Sequence, residues 1–463
     1  MSVAVEAPNE SLAVGPEEQV PAAPAAGTLL LSLGTVASGI LAYAFNAVAA
    51  RTLGPADYGP IAVLWATTFL VAVVLFRPVE QTLSRGIAKR LAEGTDARTV
   101  ARSVSRLCAA STVAAVLACV VAWRPLTDRL FDGHGFVTAM LIAGIVGYGL
   151  SYFVRGIVGG GRWYAGYGMV LLGDGAVRLA LVLPLFALAS VDLAAAAIAA
   201  AAFAGAIAPL LDRRGWRKAR DLGGTPGPRF EVKEATRFAV PVAVLAAADQ
   251  VLLSGGPVLV MLGGGAGSSA AAAVVFAATM LIRAPAYLFQ GVAAALLPNL
   301  TTLSVREDEH RFRQAVRRIV MILSAFSAAM IVGALVAGPA AMHLLYGPDF
   351  IATRTELALL ALGGGGYLVA ATLTQAALAR AETLSVAAIW VVSALLFVVL
   401  ELTLAGGPLY RVSIAFAAAA LLAAAACIGL ALLGRQGAPR AARARPVARG
   451  LATVGATDRD GGL

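Results

Sequence analysis

The sequence predicts an all-α protein that crosses a membrane about twelve times, and three observations support this fold class. The 463-residue chain is 59% hydrophobic and only 13% charged, with a mean hydropathy of +0.82. Soluble proteins carry roughly 25% charged residues, and a disordered chain would be polar, so both classes are disfavoured. The apolar residues form runs of about 20, the length that a membrane-spanning helix needs. The positive residues also alternate in number from one connection to the next.

Twelve apolar runs are long enough to be spans, with borders defined to within several residues. Some contain glycine-rich stretches, which membrane helices tolerate. The first run is not a signal peptide, because no Lys or Arg precedes it and it is about twice as long as a signal core. The predicted spans are 28–50, 60–77, 107–123, 136–157, 167–190, 192–211, 238–262, 270–297, 319–337, 354–378, 383–404 and 412–434.

The distribution of Lys and Arg predicts the orientation of these spans. Of the 36 Lys and Arg, 29 lie in the connections on one side and five in those on the other; Arg178 and Arg283 lie within spans. Positive residues favour cytoplasmic connections, so we predict that both termini are cytoplasmic. The net charge of +10 therefore reflects topology rather than binding to nucleic acid.

A basic linker divides the predicted spans into six and six. It contains Gly-Gly-Thr-Pro-Gly-Pro, a composition typical of linkers, and the two halves show a weak repeat. Because each half has an even number of spans, the repeat would be parallel, with a pseudo-two-fold axis along the membrane normal. The predicted domains are a disordered cytoplasmic tail (1–27), an N-terminal bundle of six helices (28–211), the cytoplasmic linker (212–237), a C-terminal bundle of six helices (238–434) and a basic cytoplasmic tail (435–463).

Three motifs resemble a known family. Residues 50–59 read ARTLGPADYG, residues 155–178 contain Arg-Gly, Gly-Arg-Trp-Tyr, Asp-Gly and Arg in that order, and residues 344–350 read LLYGPDF. They are similar to the ARxLGPxxYG, RG…G…RF…Y…EG…R and LxFGxxF patterns of bacterial polysaccharide flippases (O-antigen flippase-like) in the multidrug/oligosaccharidyl-lipid/polysaccharide exporter superfamily. The sequence departs from these patterns at Asp174, where Glu is usual, and at Tyr346, where Phe is usual.

The resemblance implies two six-helix bundles around a central cavity in a bacterial cytoplasmic (inner) membrane. Such a protein would flip polyisoprenyl-diphosphate-linked oligosaccharide to the outer leaflet by alternating access, for a surface polysaccharide such as lipopolysaccharide. Two alternatives stay open: a drug or cation antiporter of the same superfamily, and a non-transporting component of a polysaccharide assembly complex. The expected partners are the lipid-linked glycan, anionic lipids at the inner face, and a polysaccharide polymerase or assembly proteins, but no nucleic acid.

Ionisable residues inside apolar spans are candidate functional groups, because each costs about 2.5–3.5 kcal/mol at the membrane centre. Arg283 and Asp249 fall near mid-depth of neighbouring spans. They would form either a structural ion pair or separate cavity groups, with Arg283 binding a phosphate and Asp249 serving as a coupling site. Asp174 and Arg178 lie one helical turn apart, which favours a local neutralising pair over substrate binding.

Seven further positions give less specific signals. Glu80 and Glu401 lie at span ends, where each is either a gating or coupling carboxylate or a solvated interfacial group. Arg51 is a candidate substrate ligand, although its motif is explained more simply as architecture, with Gly54 permitting a tight turn and Tyr58 lying at the membrane interface. Polar residues that would line a cavity, or else bond between helices, are Asn46, Gln250, Gln290 and Gln375.

No motif for catalysis is present in the sequence. Its three cysteines lie inside apolar runs and its three histidines are far apart, which predicts neither a disulfide framework nor a metal site. The sequence contains no nucleotide-binding motif. Its longest predicted connection has about 30 residues, too few for a soluble catalytic domain. The sequence therefore predicts a secondary transporter rather than an enzyme, with no cofactor.

Overall fold

A computed structural model shows a helical, multi-pass membrane protein. Among the residues that the structure describes, eleven helices are long and apolar enough to cross a membrane. Most of the predicted tail 1–27, the whole tail 435–463 and Gln290 lie outside the residues that the structure describes. The described residues are 25–226, 232–265, 267–285, 309–379 and 382–433.

The first helix, α1 (Ala25–Ala92), contains two passes. Its 68 residues would extend about 100 Å as a straight helix, far more than the roughly 30 Å of a bilayer core. Gly54 interrupts the helix with φ 74° and ψ 170°, and the rings of Phe45 and Trp65, on opposite sides of Gly54, stack at 6.2 Å. A straight helix would hold these rings about 30 Å apart, so the two arms of α1 are antiparallel. The eleven span-length helices of the described chain thus make twelve passes, which confirms the predicted number.

The rest of the first half packs on the two arms of α1. Helix α4 contacts α1, α2 and α7, and α5 fills the space between α1 and α7. Local capping groups set two of the helix starts: the Ser190 hydroxyl accepts from the Leu193 N–H, and the Asp212 carboxylate accepts from two N–H groups at the start of α8. These helices are α2 (Arg98–Val121), α3 (Trp123–Pro125), α4 (Gly135–Gly160), α5 (Tyr164–Ala180), α6 (Val182–Leu188), α7 (Val191–Ile207) and α8 (Arg213–Ala219).

The second half contains six helices within the described residues. Helix α12 packs between α11 and α14, and α13 packs on α9 and α14. A reciprocal cap begins α12: the Thr353 N–H donates to the Glu356 carboxylate at 2.8 Å, and the Glu356 N–H donates to the Thr353 hydroxyl at 3.3 Å. The six helices are α9 (Val232–Gly263), α10 (Ser268–Pro285), α11 (Glu309–Tyr346), α12 (Arg354–Ala379), α13 (Thr383–Thr403) and α14 (Pro408–Leu433).

The predicted internal repeat has a structural counterpart at the turns before α4 and α12. Each of these helices has 26 residues. The turn before α4 contains Gly133 at φ 85°, and the turn before α12 contains Gly347 at φ 110°. A left-handed backbone favours glycine, so the same local requirement recurs at both places.

The predicted linker 212–237 is partly helical, because α8 and the first turns of α9 lie inside it. Between them the chain returns to the first half. The Asp96 N–H donates to the Thr225 carbonyl at 2.8 Å and the Thr225 N–H donates to the Gly94 carbonyl at 3.0 Å, so that Thr95 and Thr225 form a parallel bridge. This pairing fixes the linker against the turn between α1 and α2.

Candidate functional site: a polar track between the halves

A buried ion pair lies at the centre of the first half. The Arg178 guanidinium is 2.9 Å from Oδ1 and 3.0 Å from Oδ2 of Asp174, and it also donates to the Tyr148 hydroxyl at 2.9 Å. Its Cζ lies 4.6 Å from the ring centroid of Trp65. The predicted contact between Asp174 and Arg178 is therefore present, with the side chain of Arg178 only 1% exposed.

A second cluster lies nearer the predicted inner end of the same half. The Tyr167 hydroxyl of α5 donates to Oε1 of Glu80 at 2.7 Å. The Arg155 guanidinium of α4 lies over the Tyr152 ring, 4.7 Å from its centroid, and interacts electrostatically with Glu80 and Asp174. Glu80 is thus held by groups of its own half.

The second half contributes a carboxylate and a guanidinium from neighbouring helices. The Tyr367 hydroxyl of α12 donates to Oδ1 of Asp249 at 2.7 Å. Arg283 of α10 donates to the Leu253 carbonyl at 3.0 Å, one turn further along α9, and interacts electrostatically with Asp249. Gln250 is buried and its carbonyl accepts from the Ser254 hydroxyl at 3.4 Å.

Arg77 connects the groups of the two halves. It lies on the second arm of α1, is exposed, and interacts electrostatically with Tyr152 of the first half and Asp249 of the second. We call the connected set the polar track. Its charged members in the described chain are four arginines and three carboxylates: Arg77, Arg155, Arg178, Arg283, Glu80, Asp174 and Asp249.

A tight interface closes the space between the halves at the end of the bundle where α1 turns back at Gly54. The Ser269 hydroxyl of α10 donates to the Ala56 carbonyl at 2.6 Å, and a Cβ added to Gly59 would lie 2.2 Å from the Ser269 hydroxyl oxygen. Arg51 donates to the Leu344 carbonyl of α11 at 2.5 Å. We call this interface the Gly54-end seal.

Aromatic rings fill the interior of the Gly54-end seal. The ring centroid of Tyr58 lies 6.2 Å from those of Phe276 and Phe350, which both belong to the second half. Tyr58 is completely buried and its hydroxyl donates to Oδ1 of Asn46 at 2.8 Å. The prediction that Tyr58 lies at the membrane interface was wrong, because the turn at Gly54 folds it inward between the halves.

The other candidates from the sequence lie outside the polar track. Arg51 belongs to the Gly54-end seal, and Asn46 fixes Tyr58 to the first arm of α1. Glu401, only 2% exposed, pairs with Arg411 of α14 at 3.3 Å. Gln375 is exposed at the last turns of α12.

Sequence reasoning missed two arginines of the track. Arg77 and Arg155 were counted with the basic connections because each lies at the end of an apolar run. The structure places Arg77 inside the second arm of α1 and Arg155 inside α4. The tyrosines that bind the carboxylates were missed too, because a tyrosine in an apolar run gives no signal until its partner is known.

Comparisons with known proteins agree with this architecture. The family described as polysaccharide biosynthesis protein matches residues 25–304. An inward-facing multidrug resistance MATE family transporter of the MOP superfamily is 14% identical, with a TM-score of 0.65 over 88% of this chain and 97% of that chain. The lipid II flippase MurJ in an inward closed conformation is 13% identical, with a TM-score of 0.64 over 86% of each chain. The Vibrio cholerae MATE transporter VcmN in its bent form is 15% identical, with a TM-score of 0.55 over 88% of this chain and 97% of that chain.

No curated protein matches the chain significantly. The fold, with twelve passes in two halves, resembles the folds of the MATE transporter and of the lipid II flippase MurJ. The chain belongs to the polysaccharide biosynthesis protein family, whose model matches more than half of it.

Proposed function

We propose that the protein flips a polyisoprenyl-diphosphate-linked oligosaccharide from the inner to the outer leaflet of a bacterial cytoplasmic membrane. The observation that carries this proposal is the composition of the polar track. Its four arginines exceed its three carboxylates, which suits an anionic diphosphate, and a role in polysaccharide biosynthesis is consistent with a glycan cargo. Guanidinium groups suit phosphate because their planar fork binds two oxygens at once.

Two arginines of the track are the best-placed phosphate ligands. Arg77 is exposed and its charge acts on Tyr152 of the first half and Asp249 of the second, so it is available to an anionic ligand between the halves. Arg283 is half-buried beside Asp249. Arg178, by contrast, is almost completely buried and already paired, which favours a structural role over direct contact with substrate.

The closed Gly54-end seal supports alternating access with entry from the opposite end. With both termini cytoplasmic, as the charge distribution favours, the seal lies on the outer side. The diphosphate head would then enter from the cytoplasm while its lipid tail stays in the bilayer. The halves would next rock to break the seal and release the head outside.

The predicted inner surface supports the proposed lipid partners. The basic residues of α8 are exposed, and the half-buried Trp216 lies among them. Such a short basic segment attracts anionic headgroups, at about 1 kcal/mol per residue near the surface. We propose that it anchors this face to anionic lipids, and that a polymerase or assembly protein receives the flipped glycan.

The decisive experiment measures lipid-linked intermediates in a deletion strain. Loss of the protein should accumulate the inner-leaflet intermediate, and the wild-type gene should remove it. Arg77→Ala and Arg283→Ala at equal expression should each restore export poorly. Arg124→Ala, which removes an exposed arginine outside the track and outside α8, is the matched control and should restore it fully.

Two results would contradict this proposal. Normal surface polysaccharide together with new drug sensitivity would favour a drug or cation antiporter, for which Asp249 would be the coupling carboxylate. Blocked polysaccharide assembly with normal flipping in vesicles would favour a non-transporting component of an assembly complex.

A further inference from the structure

We propose that Asp174 and Arg178 are positioning residues that hold the Gly54-end seal closed through Trp65. These residues would control the conformational change of the proposed alternating access. That role rests on the proposed function, but the closure of the seal can be measured without it. The contacts themselves run from the ion pair of the first half, through a single aromatic side chain, to a helix of the second half.

The first step of this relay is the contact between Arg178 and Trp65. The guanidinium is held on one side by the carboxylate of Asp174, at 2.9 and 3.0 Å. Its Cζ lies 4.6 Å from the centroid of the Trp65 ring. Both side chains are buried, and a cation over an indole face is attracted more strongly when water is excluded. The position of the Trp65 ring is therefore coupled to the ion pair.

The second step is the contact between Trp65 and the second half. The Trp65 ring meets the Phe276 ring edge-on, with centroids 6.5 Å apart. Phe276 in turn contacts Tyr58, the central ring of the seal, at 6.2 Å. Trp65 also packs on Phe45 and Phe69 of its own half. It is therefore the side chain through which the buried ion pair reaches the interface.

The arrangement has a physical consequence for the seal. Packed interfaces switch between discrete arrangements rather than deforming continuously. In the closed arrangement the Trp65 ring has the guanidinium and Phe276 as partners. Withdrawal of Arg178 removes the charged partner and leaves the ring with its aromatic neighbours alone, which weakens the hold on its present rotamer. The open arrangement then becomes more populated.

The test measures how often the seal opens in the purified protein. Ala273 lies on α10 between Ser269 and Phe276 and is completely buried, so a cysteine there reacts with a water-soluble thiol reagent only after opening. Ala273→Cys is introduced with Cys108 and Cys119 replaced by Ala. Cys427 is kept, because it is buried in the second half and its reaction rate reports general unfolding.

We expect Arg178→Gln and Trp65→Leu each to speed modification at position 273 by roughly two- to thirty-fold, the range that a cation–π contact supports. Asp174→Asn should have a smaller effect in the same direction. The double variant Arg178→Gln/Trp65→Leu should react no faster than the faster single variant, because both substitutions break the same contact. The rate at Cys427 should not change.

Trp123→Leu is the matched control, since it removes a partly exposed tryptophan at the same end of the bundle without touching the relay. If Arg178→Gln does not fold, Trp65→Phe and Trp65→Leu decide the question, because Phe keeps an aromatic face and should accelerate modification less. Unchanged rates, additive effects in the double variant, or equal acceleration at Cys427 would overturn the proposal. The modification rate is measured without substrate. This proposal can therefore be refuted while the flipping assay supports the proposed function, and the proposed function can be refuted while this proposal stands.

Discussion

The Tyr367 hydroxyl and the Asp249 carboxylate are joined by a 2.7 Å hydrogen bond between α12 and α9. This bond fixes a half-buried carboxylate in the second half, where Arg77 and Arg283 also act on it. Asp249 is therefore not an isolated charge in an apolar span but part of a network that tyrosine completes.

Tyr367→Phe should lower the free energy of unfolding by about 1.5–3 kcal/mol, because hydrogen bonds to charged groups contribute that much. The measurement is reversible unfolding in mixed detergent micelles. Tyr410→Phe, at an exposed tyrosine of α14, is the control and should have little effect. Equal losses in the two variants would show that the bond contributes nothing.

Gly54→Ala should destabilise the protein by about 1–3 kcal/mol, since φ 74° and ψ 170° lie in a region that only glycine occupies readily. The control is Gly39→Ala in the first arm of the same helix, where an added Cβ meets nothing within 4 Å. That substitution should be neutral or stabilise by about 0.5–1 kcal/mol. Opposite signs in the same unfolding assay are the expected result, and a stabilising Gly54→Ala would contradict the assigned turn.

Gly59→Ala should open the Gly54-end seal. The added Cβ would lie 2.2 Å from the Ser269 hydroxyl oxygen and 2.3 Å from its backbone oxygen, so the two halves must separate there. In the Ala273→Cys background, we expect Gly59→Ala to speed modification of the cysteine at position 273. We also expect it to abolish glycan export. Gly263→Ala, where a Cβ meets nothing within 4 Å, is the matched control; a slow reaction in both variants would refute the prediction.

Arg411→Gln should cost more stability than Glu401→Gln, although the two substitutions break the same ion pair. The first leaves a carboxylate that is 2% exposed without its counter-ion, at a cost of up to about 3–5 kcal/mol. The second leaves a neutral amide facing an arginine that reaches water. Thermal unfolding of both variants tests the order, and the reverse order would show that the pair is not a buried structural one.

Much of the fold could be predicted because the membrane restricts the choices. A polar backbone must form helices in lipid, so apolar length gives the number of passes, and the spacing of Asp174 and Arg178 on one helix predicts their pairing. Even the reversal at Gly54 follows from the local sequence, since glycine and proline adjoin there.

The interhelical contacts could not be predicted in the same way. Tyr58 and Tyr367 find their partners only after helices from distant parts of the chain have packed. Arg77 and Arg155 lie where an apolar run meets a basic one, and one-dimensional reading assigns such residues to the connection. Glu401 is separated from the track by its ion pair with Arg411 of the following helix, and the sequence gives no signal for that pairing.

The bridge between Thr95 and Thr225 determines the reach of the connection between the halves. From Thr225, which is fixed on the first half, to Val232, where α9 begins, the chain can extend at most about 25 Å when fully stretched. The start of α9 therefore cannot move farther than this from Thr225, which limits how far the proposed rocking can separate the two halves at that end.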